Sequence, residues 1–461
     1  MSAPLAAIAP SDTAPSATAA SATAASAVGR PWGPLLEGPD ADRAWEAIHA
    51  IAKSLEAPPS DGALPANLAS GAAGQALFFA YLALATDDEH WLDVACDYLE
   101  TMIEGAETVA RWPSLHTGFS GLAWTLEHLQ GRVLEGGAVD HSLDQRLLEI
   151  LDRGPWLREY DLISGLVGFG VYALEILPRP EGRACLENVL NQLEATTDPL
   201  ADGVTWHTDP RLLPEHQRRV FPDGYHNLGL AHGIPAILAL LGALCAVDVE
   251  AERARRLLEP AVDWLLAHEG ADDGACFAHS IAAGAGRQAS RLAWCYGDPG
   301  VAVALLHAGR LADVPAWREE AYRIALASAR RPEDEAGVVD AGLCHGSVGL
   351  AHLFHRIARL AERPLPEVEE AARRWARSTL EYRTPGLGFG GFRAYKVVDK
   401  HGPAGWRETR SFLEGSAGIG LGLLALVSDV EPAWDRVLML SMRTPGIGDG
   451  AGDGVSVRGA V

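Results

Sequence analysis

The chain of 461 residues is 48% hydrophobic and 21% charged, which is typical of a soluble globular protein and excludes disorder for its bulk. Its net charge of −23 is spread along the chain, whereas proteins that bind nucleic acid concentrate Lys and Arg, so we expect no nucleic-acid partner. Every hydrophobic stretch is interrupted well short of the roughly 20 residues that cross a bilayer, so we expect no integral membrane segment. Six cysteines are too few for a disulfide framework in so long a chain, which favours a reducing, cytoplasmic location.

The two ends of the chain differ in composition from the rest. Residues 1–30 are rich in Ala, Ser, Thr and Pro and lack the basic start of a secretory signal, so we predict a disordered tail there. Residues 444–461 are Gly-rich and are predicted to form a second loose tail. Residues 31–443 are then expected to form one folded domain.

A Gly-x-x-Gly step, preceded by a small or polar residue, recurs seven times, although the fourth copy has Ala236 as its last residue. Glycine allows tight turns and close packing of helix starts, because it tolerates positive φ and has no side chain. In chain order, the first glycines of the copies are Gly71, Gly118, Gly165, Gly233, Gly297, Gly346 and Gly415.

An almost wholly apolar helical stretch follows each copy, and an amphipathic stretch precedes it. The apolar stretches include residues 75–85, 234–246, 301–312 and 419–427. The amphipathic stretches are residues 42–55, 90–103, 143–151, 184–195, 254–268, 317–329 and 368–382. This strict alternation predicts an all-α protein in which a closed ring of seven inner helices is wrapped by seven outer helices.

Residues at matching positions before each first glycine are expected to converge at one mouth of this ring, where the inner helices begin. Three long connections, residues 196–228, 270–294 and 383–413, run from an outer to an inner helix and should emerge at the same mouth. Long loops around a mouth are typical of a substrate-binding rim, so we expect the chemistry there.

Cys295 and Cys344 each lie two residues before a first glycine, and His345 follows Cys344 directly. Two thiolates and one imidazole are a recognised catalytic zinc set, with the fourth position left for water or substrate. Neighbouring Cys and His side chains diverge on a regular helix, so binding one ion together requires a turn, which Gly346 supplies. The sequence therefore predicts one zinc ion per chain, held by Cys295, Cys344 and His345.

Other uses of these cysteines remain as alternatives. A redox pair is the competing use, but Cys295 and Cys344 lack the short spacing of a redox motif. Cys276 is a candidate for an additional metal ligand, although it lies in a long connection and has no counterpart in the other repeats. For a single cysteine, apolar packing in the core is the default explanation.

Four segments of the sequence each include the first glycine of one repeat. They begin at Asp161, Asn227, Arg291 and Leu343, and their sequences are DLISG, NLGLAHGIP, RLAWCYGDPG and LCHG. Together and in this order they closely resemble motifs of the lanthionine synthetase C-like cyclase family. The seven repeats extend the resemblance from about residue 42 to about residue 428. The chain departs from the family pattern at Ala236, where glycine is usual.

This resemblance implies an α/α toroid and a catalytic zinc ion at the three residues proposed above. It implies a dehydrated precursor peptide with a leader as the substrate, whose cysteine thiols are added to dehydroalanine or dehydrobutyrine to form lanthionine or methyllanthionine. It also implies catalytic roles for Asp161, His232, Arg291 and Tyr296, and it leads us to expect a dehydratase as partner.

The chemistry of the four side chains suggests a role for each. His232 is the candidate for proton transfer, because an ordinary pKa of about 6.5 makes both of its forms available, and packing in the core is the alternative. Asp161 is expected to orient His232 or Arg291, with capping of the Ser164 turn as the alternative. Arg291 is expected to stabilise an enolate or a carbonyl, and Tyr296 to form a hydrogen bond to that oxygen or to the zinc-bound species; a structural role is the alternative for both.

Functions of other classes fit parts of the pattern. A zinc-stabilised helical scaffold would bind peptides without transforming them, and its fourth metal position would be closed by protein. A toroid glycosidase would need paired carboxylates across the bowl, and the mouth offers only Asp161 and Glu414. A toroid prenyltransferase would also use a zinc thiolate, together with a partner subunit that the sequence does not identify.

Overall fold

The computed structural model describes residues 30–59, 64–134, 141–270, 274–284, 286–397 and 402–443. All of these residues except residue 30 lie within the predicted folded domain, residues 31–443, in which five short gaps are left. The predicted tails, residues 1–30 and 444–461, lie outside the described residues except for residue 30.

Sixteen helices make up most of the described chain. In chain order they are α1 (Gly38–Leu55), α2 (Ala72–Thr86), α3 (Glu89–Glu104), α4 (Ala106–Val109), α5 (Phe119–Leu129), α6 (Ser142–Leu151), α7 (Leu166–Glu175), α8 (Pro180–Ala195), α9 (Glu215–Val220), α10 (Ile234–Ala246), α11 (Ala251–Ala267), α12 (Asp298–Leu311), α13 (Pro315–Arg330), α14 (Ser347–Leu360), α15 (Pro366–Glu381) and α16 (Ser416–Val427). Short 3-10 helices cover Pro210–Leu212, Glu333–Glu335 and Ala433–Leu438.

Seven helices are buried on nearly all sides because their residues are mostly apolar. These inner helices are α2, α5, α7, α10, α12, α14 and α16; in α10, for example, residues 234–244 are all buried. Seven others, α1, α3, α6, α8, α11, α13 and α15, bury only one face, as α15 does with Val368, Ala371 and Trp375. None of the described helices is both long enough and apolar enough to cross a membrane.

The inner helices form a closed ring. Each packs against the next one along the chain, and α16 packs against α2 to complete the circle. Every outer helix packs against the inner helix that precedes it, while α1 packs against α16. The predicted all-α toroid of seven inner and seven outer helices is therefore confirmed.

Backbone hydrogen bonds link the seven turns that precede the inner helices. In each turn, the residue two positions before the first glycine bonds to the equivalent residue of the next turn. The third turn differs in that Ile163 accepts the bond, whereas the amide of Leu162 donates the next one. In order, the amide-to-carbonyl bonds run from Ala69 to His116, from His116 to Ile163, from Leu162 to Ala231, from Ala231 to Cys295, from Cys295 to Cys344, from Cys344 to Leu413 and from Leu413 to Ala69. We refer to this closed set of bonds as the mouth ring.

Two glycines show why the Gly-x-x-Gly step recurs. A Cβ atom at Gly165 would lie 2.0 Å from the carbonyl oxygen of Glu159, and one at Gly349 would lie 1.9 Å from that of Leu343. The turn folds back on itself so closely that only hydrogen fits at these positions. Steric exclusion at the turn therefore accounts for the repeat that the sequence displays.

The three long connections emerge beside the mouth ring, as predicted. The first carries β1 (Asp198–Leu200), β2 (Gly203–Thr205) and β3 (His226–Asn227), the second carries β4 (Ser280–Ile281), and the third carries β5 (Ala394–Val397) and β6 (Ala404–Arg407). All three strand pairs are antiparallel: β1 with β2, β3 with β4, and β5 with β6. The pairing of β3 with β4 ties the first connection to the second.

Residues 430–443, which we name the C-terminal plug, fill the inside of the ring. Their 3-10 helix, Ala433–Leu438, is almost completely buried. Backbone carbonyls of the plug accept hydrogen bonds from the rings of His116, Trp294 and His307, at 3.0, 2.8 and 2.9 Å. Because these three side chains come from different repeats, the plug lies between the inner helices, and Trp294 directly precedes one of the predicted metal ligands.

Candidate metal centre and active site

The side chains of Cys295, Cys344 and His345 meet at the mouth ring. The two sulfurs and one ring nitrogen of His345 all lie within 4.8 Å of one another. Cys344 and His345 are in the turn before α14, so their side chains escape the divergence that a regular helix would impose. Among the described residues, no other Cys, His, Asp or Glu joins this group, and Cys276 is not part of it.

The two thiols differ in acidity. The hydrogen bond with Cys344 lowers the pKa of Cys295 well below its ordinary value, and it outweighs the opposite effect of burial; His345 and Arg291 act in the same direction. The same hydrogen bond, together with burial, raises the pKa of Cys344 well above its ordinary value. One sulfur therefore ionises readily while the other keeps its proton, which a divalent cation binding between them would displace.

His232 is held by Asp161. Nδ1 of His232 lies 2.6 Å from Oδ2 of Asp161, and Oδ1 of Asp161 accepts a 2.7 Å hydrogen bond from the backbone amide of Ser164. The orienting and the capping role considered for Asp161 thus coexist on its two oxygens. Burial lowers the pKa of His232, but the hydrogen bond and charge of Asp161 outweigh that effect and raise the pKa above 6.5. The His232 side chain stays 41% exposed, and Asp161 engages only one of its two ring nitrogens.

Tyr296 lies beside His232, with the ring centroids 5.9 Å apart. Its hydroxyl accepts a 3.1 Å hydrogen bond from Nδ2 of Asn227, whose oxygen accepts one of 2.9 Å from the amide of Gly229. A Cβ atom at Gly229 would lie 2.6 Å from the Tyr296 ring, so this glycine makes room for the ring. Burial raises the pKa of Tyr296, so its hydroxyl keeps its proton at neutral pH and can donate a hydrogen bond to an oxygen in the site.

Arg291 approaches the metal-ligand candidates without being bound to them. Its side chain is exposed and forms no hydrogen bond or ion pair with the residues that the structure describes. Its positive charge nevertheless contributes to lowering the pKa of Cys295. Of the two partners considered for Asp161, the carboxylate is bonded to His232, and the structure gives it no hydrogen bond or ion pair with Arg291.

A cleft of about 420 Å³ leads away from His232 along the mouth. Residues 156–160 form one wall, and residues between 207 and 217, in the first long connection, form the other. The inner end of the cleft is lined by Asp161, Ser164, Asn227, His232 and Tyr296. None of the three metal-ligand candidates lines it.

The family model for lanthionine synthetase C-like proteins matches residues 62–439. The chain belongs to the lanthionine synthetase C-like family. Nisin biosynthesis protein NisC of Lactococcus lactis subsp. lactis is 24% identical over an alignment of 334 residues, and the match covers 64% of this chain and 74% of that protein. The solved structure of nisin cyclase superposes with a TM-score of 0.66 at 20% identity, covering 81% of this chain and 92% of that one. The predicted family is therefore confirmed, and the structural match supports the toroid fold.

Two further residues of this lanthionine synthetase C-like protein support the site, although no role was predicted for them. Asn227 holds Tyr296, as described above. The buried carboxylate of Asp340 accepts hydrogen bonds from the amides of Gly342 and Tyr395, at 3.0 and 2.9 Å, and so ties the turn before α14 to β5. Both residues lie six positions before a first glycine, as Arg291 does. An alignment of the repeats that included this position could therefore have identified them from the sequence.

The carboxylates at the mouth do not form the pair that a glycosidase requires. Asp161 is bound to His232, whereas Oε2 of Glu414 forms a 2.9 Å ion pair with Nζ of Lys396 on β5. Each carboxylate is therefore held by its own partner, and this arrangement does not favour a glycosidase.

Proposed function

We propose that this chain is a zinc-dependent lanthipeptide cyclase, which adds a cysteine thiol of a dehydrated precursor peptide to a dehydroalanine or dehydrobutyrine of the same peptide. Membership of the lanthionine synthetase C-like family supports the reaction class. The observation that supports zinc dependence is that two thiols and an imidazole lie within 4.8 Å of one another. On the mouth ring, Cys295 is bonded to Ala231, the residue directly before His232, which in turn is bonded to Asp161.

Cys295, Cys344 and His345 form a donor set that suits zinc. Two cysteines and one histidine occur in catalytic zinc sites, which take their fourth ligand from water or substrate. The readily ionised sulfur of Cys295 fits a cation better than it fits a packed core. When bound, zinc lowers the pKa of a coordinated peptide thiol and so supplies a thiolate at neutral pH.

Ring closure forms one bond between the thiolate sulfur and the β-carbon of the dehydro residue. The electrons of the carbon–carbon double bond move towards the carbonyl oxygen as an enolate, and the α-carbon then takes up one proton, so no group leaves. In the proposal, His232 delivers that proton from the ring nitrogen that Asp161 leaves free. The Tyr296 hydroxyl and the Arg291 guanidinium stabilise the negative oxygen.

The thiol and the dehydro residue of the substrate indicate the partners and the location that we propose. The substrate carries a leader, and its dehydro residues come from a dehydratase that removes water from Ser or Thr. A free peptide thiol persists in a reducing compartment, so we place the reaction in the cytoplasm. The six cysteines of the chain, which are all free, agree with that compartment.

The test uses a synthetic dehydrated precursor peptide that carries its leader, one dehydroalanine and one cysteine. Purified protein should consume the free thiol and form a thioether, which a thiol reagent and tandem mass spectrometry detect. Cys344→Ala should lose zinc and ring closure together, whereas His232→Phe should keep zinc but close the ring about 10²- to 10⁴-fold more slowly. Cys276→Ala is the matched control, because Cys276 lies outside the donor group. Normal ring closure by Cys344→Ala would show that the metal proposal is wrong.

A further inference from the structure

We infer that the cleft beside His232 binds the peptide segment that carries the dehydro residue, and that its walls select apolar residues next to it. This inference rests on the proposed function. It divides the substrate between two places at the mouth: the thiol side at Cys295, Cys344 and His345, and the acceptor side in the cleft.

The lining of the cleft supports this division. Its inner end contains His232, Asp161 and Tyr296, but none of the three metal-ligand candidates. A proton donor must lie within hydrogen-bond reach of the atom that it protonates, so the α-carbon of the dehydro residue has to be at this end. Because that residue is part of a continuous chain, its neighbours continue along the cleft between the two walls.

The walls are held in place by the protein itself. The hydroxyl of Tyr160, in one wall, donates to the carbonyl oxygen of Trp206 at 3.3 Å and lies 3.1 Å from Oγ1 of Thr208, in the other wall. The Trp156 indole nitrogen donates a 2.7 Å hydrogen bond to the carbonyl oxygen of Glu159. A cleft that is already shaped binds with less loss of conformational entropy, which is typical of a ligand site.

The walls of the cleft carry apolar side chains among charged ones, which are Arg158, Glu159, Asp209 and Arg211. Leu157 is 77% exposed, the most exposed large hydrophobic side chain among the described residues, and it lines the cleft with Trp156, Leu212 and Pro214. The charges nearby are partly neutralised, since Nε of Arg211 lies 3.0 and 2.9 Å from the two carboxylate oxygens of Asp209. Covering an exposed leucine with an apolar side chain removes both from water, so such a neighbour is favoured over a charged one.

Binding can be measured separately from ring closure. The probe is a short fluorescein-labelled peptide with dehydroalanine between two leucines, whose single cysteine is carbamidomethylated so that it cannot bind through its thiol. Fluorescence anisotropy should show binding to the wild-type protein. Gln217→Trp, which fills the cleft from α9, should weaken it at least about tenfold. His216→Trp is the matched control, because it places the same side chain one residue away, on an exposed position outside the lining.

Leu157→Glu tests the opposite wall and should weaken binding by a similar factor, as should glutamates in place of the two leucines of the probe. Removal of zinc with a chelator should leave probe binding unchanged. The inference is overturned if the wild-type protein does not bind the probe, if both wall variants bind it as tightly as wild type, or if binding requires zinc. Equal affinity for the glutamate probe would overturn the apolar selectivity. If the wild-type protein bound the probe but left the leader-carrying test peptide open, the proposed function would fail while the assignment of the cleft stood.

Discussion

The backbone amide of Cys295 donates a hydrogen bond to the backbone carbonyl of Cys344, with nitrogen and oxygen 3.3 Å apart. The two sulfur donors are therefore neighbours on the mouth ring, although they belong to different repeats. Cys295 also accepts from the amide of Ala231, and the amide of Cys344 donates to Leu413. Backbone hydrogen bonds, which do not depend on a metal ion, thus hold the two candidate metal ligands in position.

Chelation of zinc should stop ring closure without unfolding the protein, because the mouth ring and the helical core hold the site. Ring closure is followed by mass spectrometry, and the fold by the far-UV circular dichroism melting curve. Returning zinc to the chelated protein should restore activity. A cooperative loss of helix on chelation would contradict the prediction and indicate that the metal has a mainly structural role.

Asp161→Asn should move the alkaline limb of the pH–rate profile to lower pH. Burial lowers the pKa of His232, and Asp161 reverses this effect and raises the pKa above 6.5; the amide lacks the charge that does so. If His232 gives up a proton, activity falls as pH rises through its pKa, so the variant loses activity at a lower pH than wild type. The measurement is kcat from about pH 5 to 9, with zinc content determined in parallel.

The raised pKa of His232 also makes the stability of the fold depend on pH. A raised histidine pKa adds stability that is fully present below the unfolded value of 6.5 and is lost as pH rises through the folded pKa. Asp161→Asn should therefore be less stable than wild type mainly at acidic pH. Glu159→Gln is the control for both effects of Asp161→Asn, because Glu159 contributes least among the causes of the raised pKa of His232.

An unchanged alkaline limb of the pH–rate profile in Asp161→Asn would rule out the role of Asp161 in raising the pKa of a proton-donating His232.

Asn227→Ala should destabilise the fold by about 1–3 kcal/mol, since it leaves the buried amide of Gly229 without its acceptor. It should also slow ring closure, because the Tyr296 hydroxyl loses the group that holds it. Zinc content should not change. Urea unfolding and kcat measure the two effects, and Tyr296→Phe separates loss of the hydroxyl from loss of its support. A fully stable Asn227→Ala protein would disprove the packing argument.

Asp435→Asn should lower the free energy of unfolding by about 3–5 kcal/mol, because it removes a buried carboxylate that pairs with the Arg356 guanidinium inside the ring. Burial raises the pKa of Asp435, but Arg356 and His352 outweigh it and lower the pKa to about 2. The stabilisation is therefore present above the unfolded pKa of 3.8 and disappears as pH falls towards 2. Urea unfolding at neutral pH measures the loss.

Glu431→Gln is the matched control for the plug. Glu431 also forms an ion pair with Arg356, at 2.6 Å, but its side chain is 53% exposed. Solvent screens such a pair, so the substitution should cost less than about 1 kcal/mol. Equal losses in the two variants would indicate that the burial of Asp435 does not matter.

The alternation of the helices and the position of the mouth could be predicted from the amino-acid sequence alone. Hydrophobic periodicity and steric exclusion at the turns are local requirements, so glycines such as Gly165 and Gly349 mark the repeat in the chain. Repeat alignment then brought Cys295 and Cys344 to equivalent positions, and the structure places their side chains together with His345.

The pairing of side chains across repeats could not be predicted in this way and is seen only in the folded molecule. The bonds of Asp161 to His232 and of Asn227 to Tyr296, and the burial of Asp435 in the plug, join residues far apart in sequence. Their geometry depends on how the seven turns stack and on what fills the space between them, and no local pattern encodes that. The plug in particular has no repeat signature, because its burial follows from the closed ring that surrounds it.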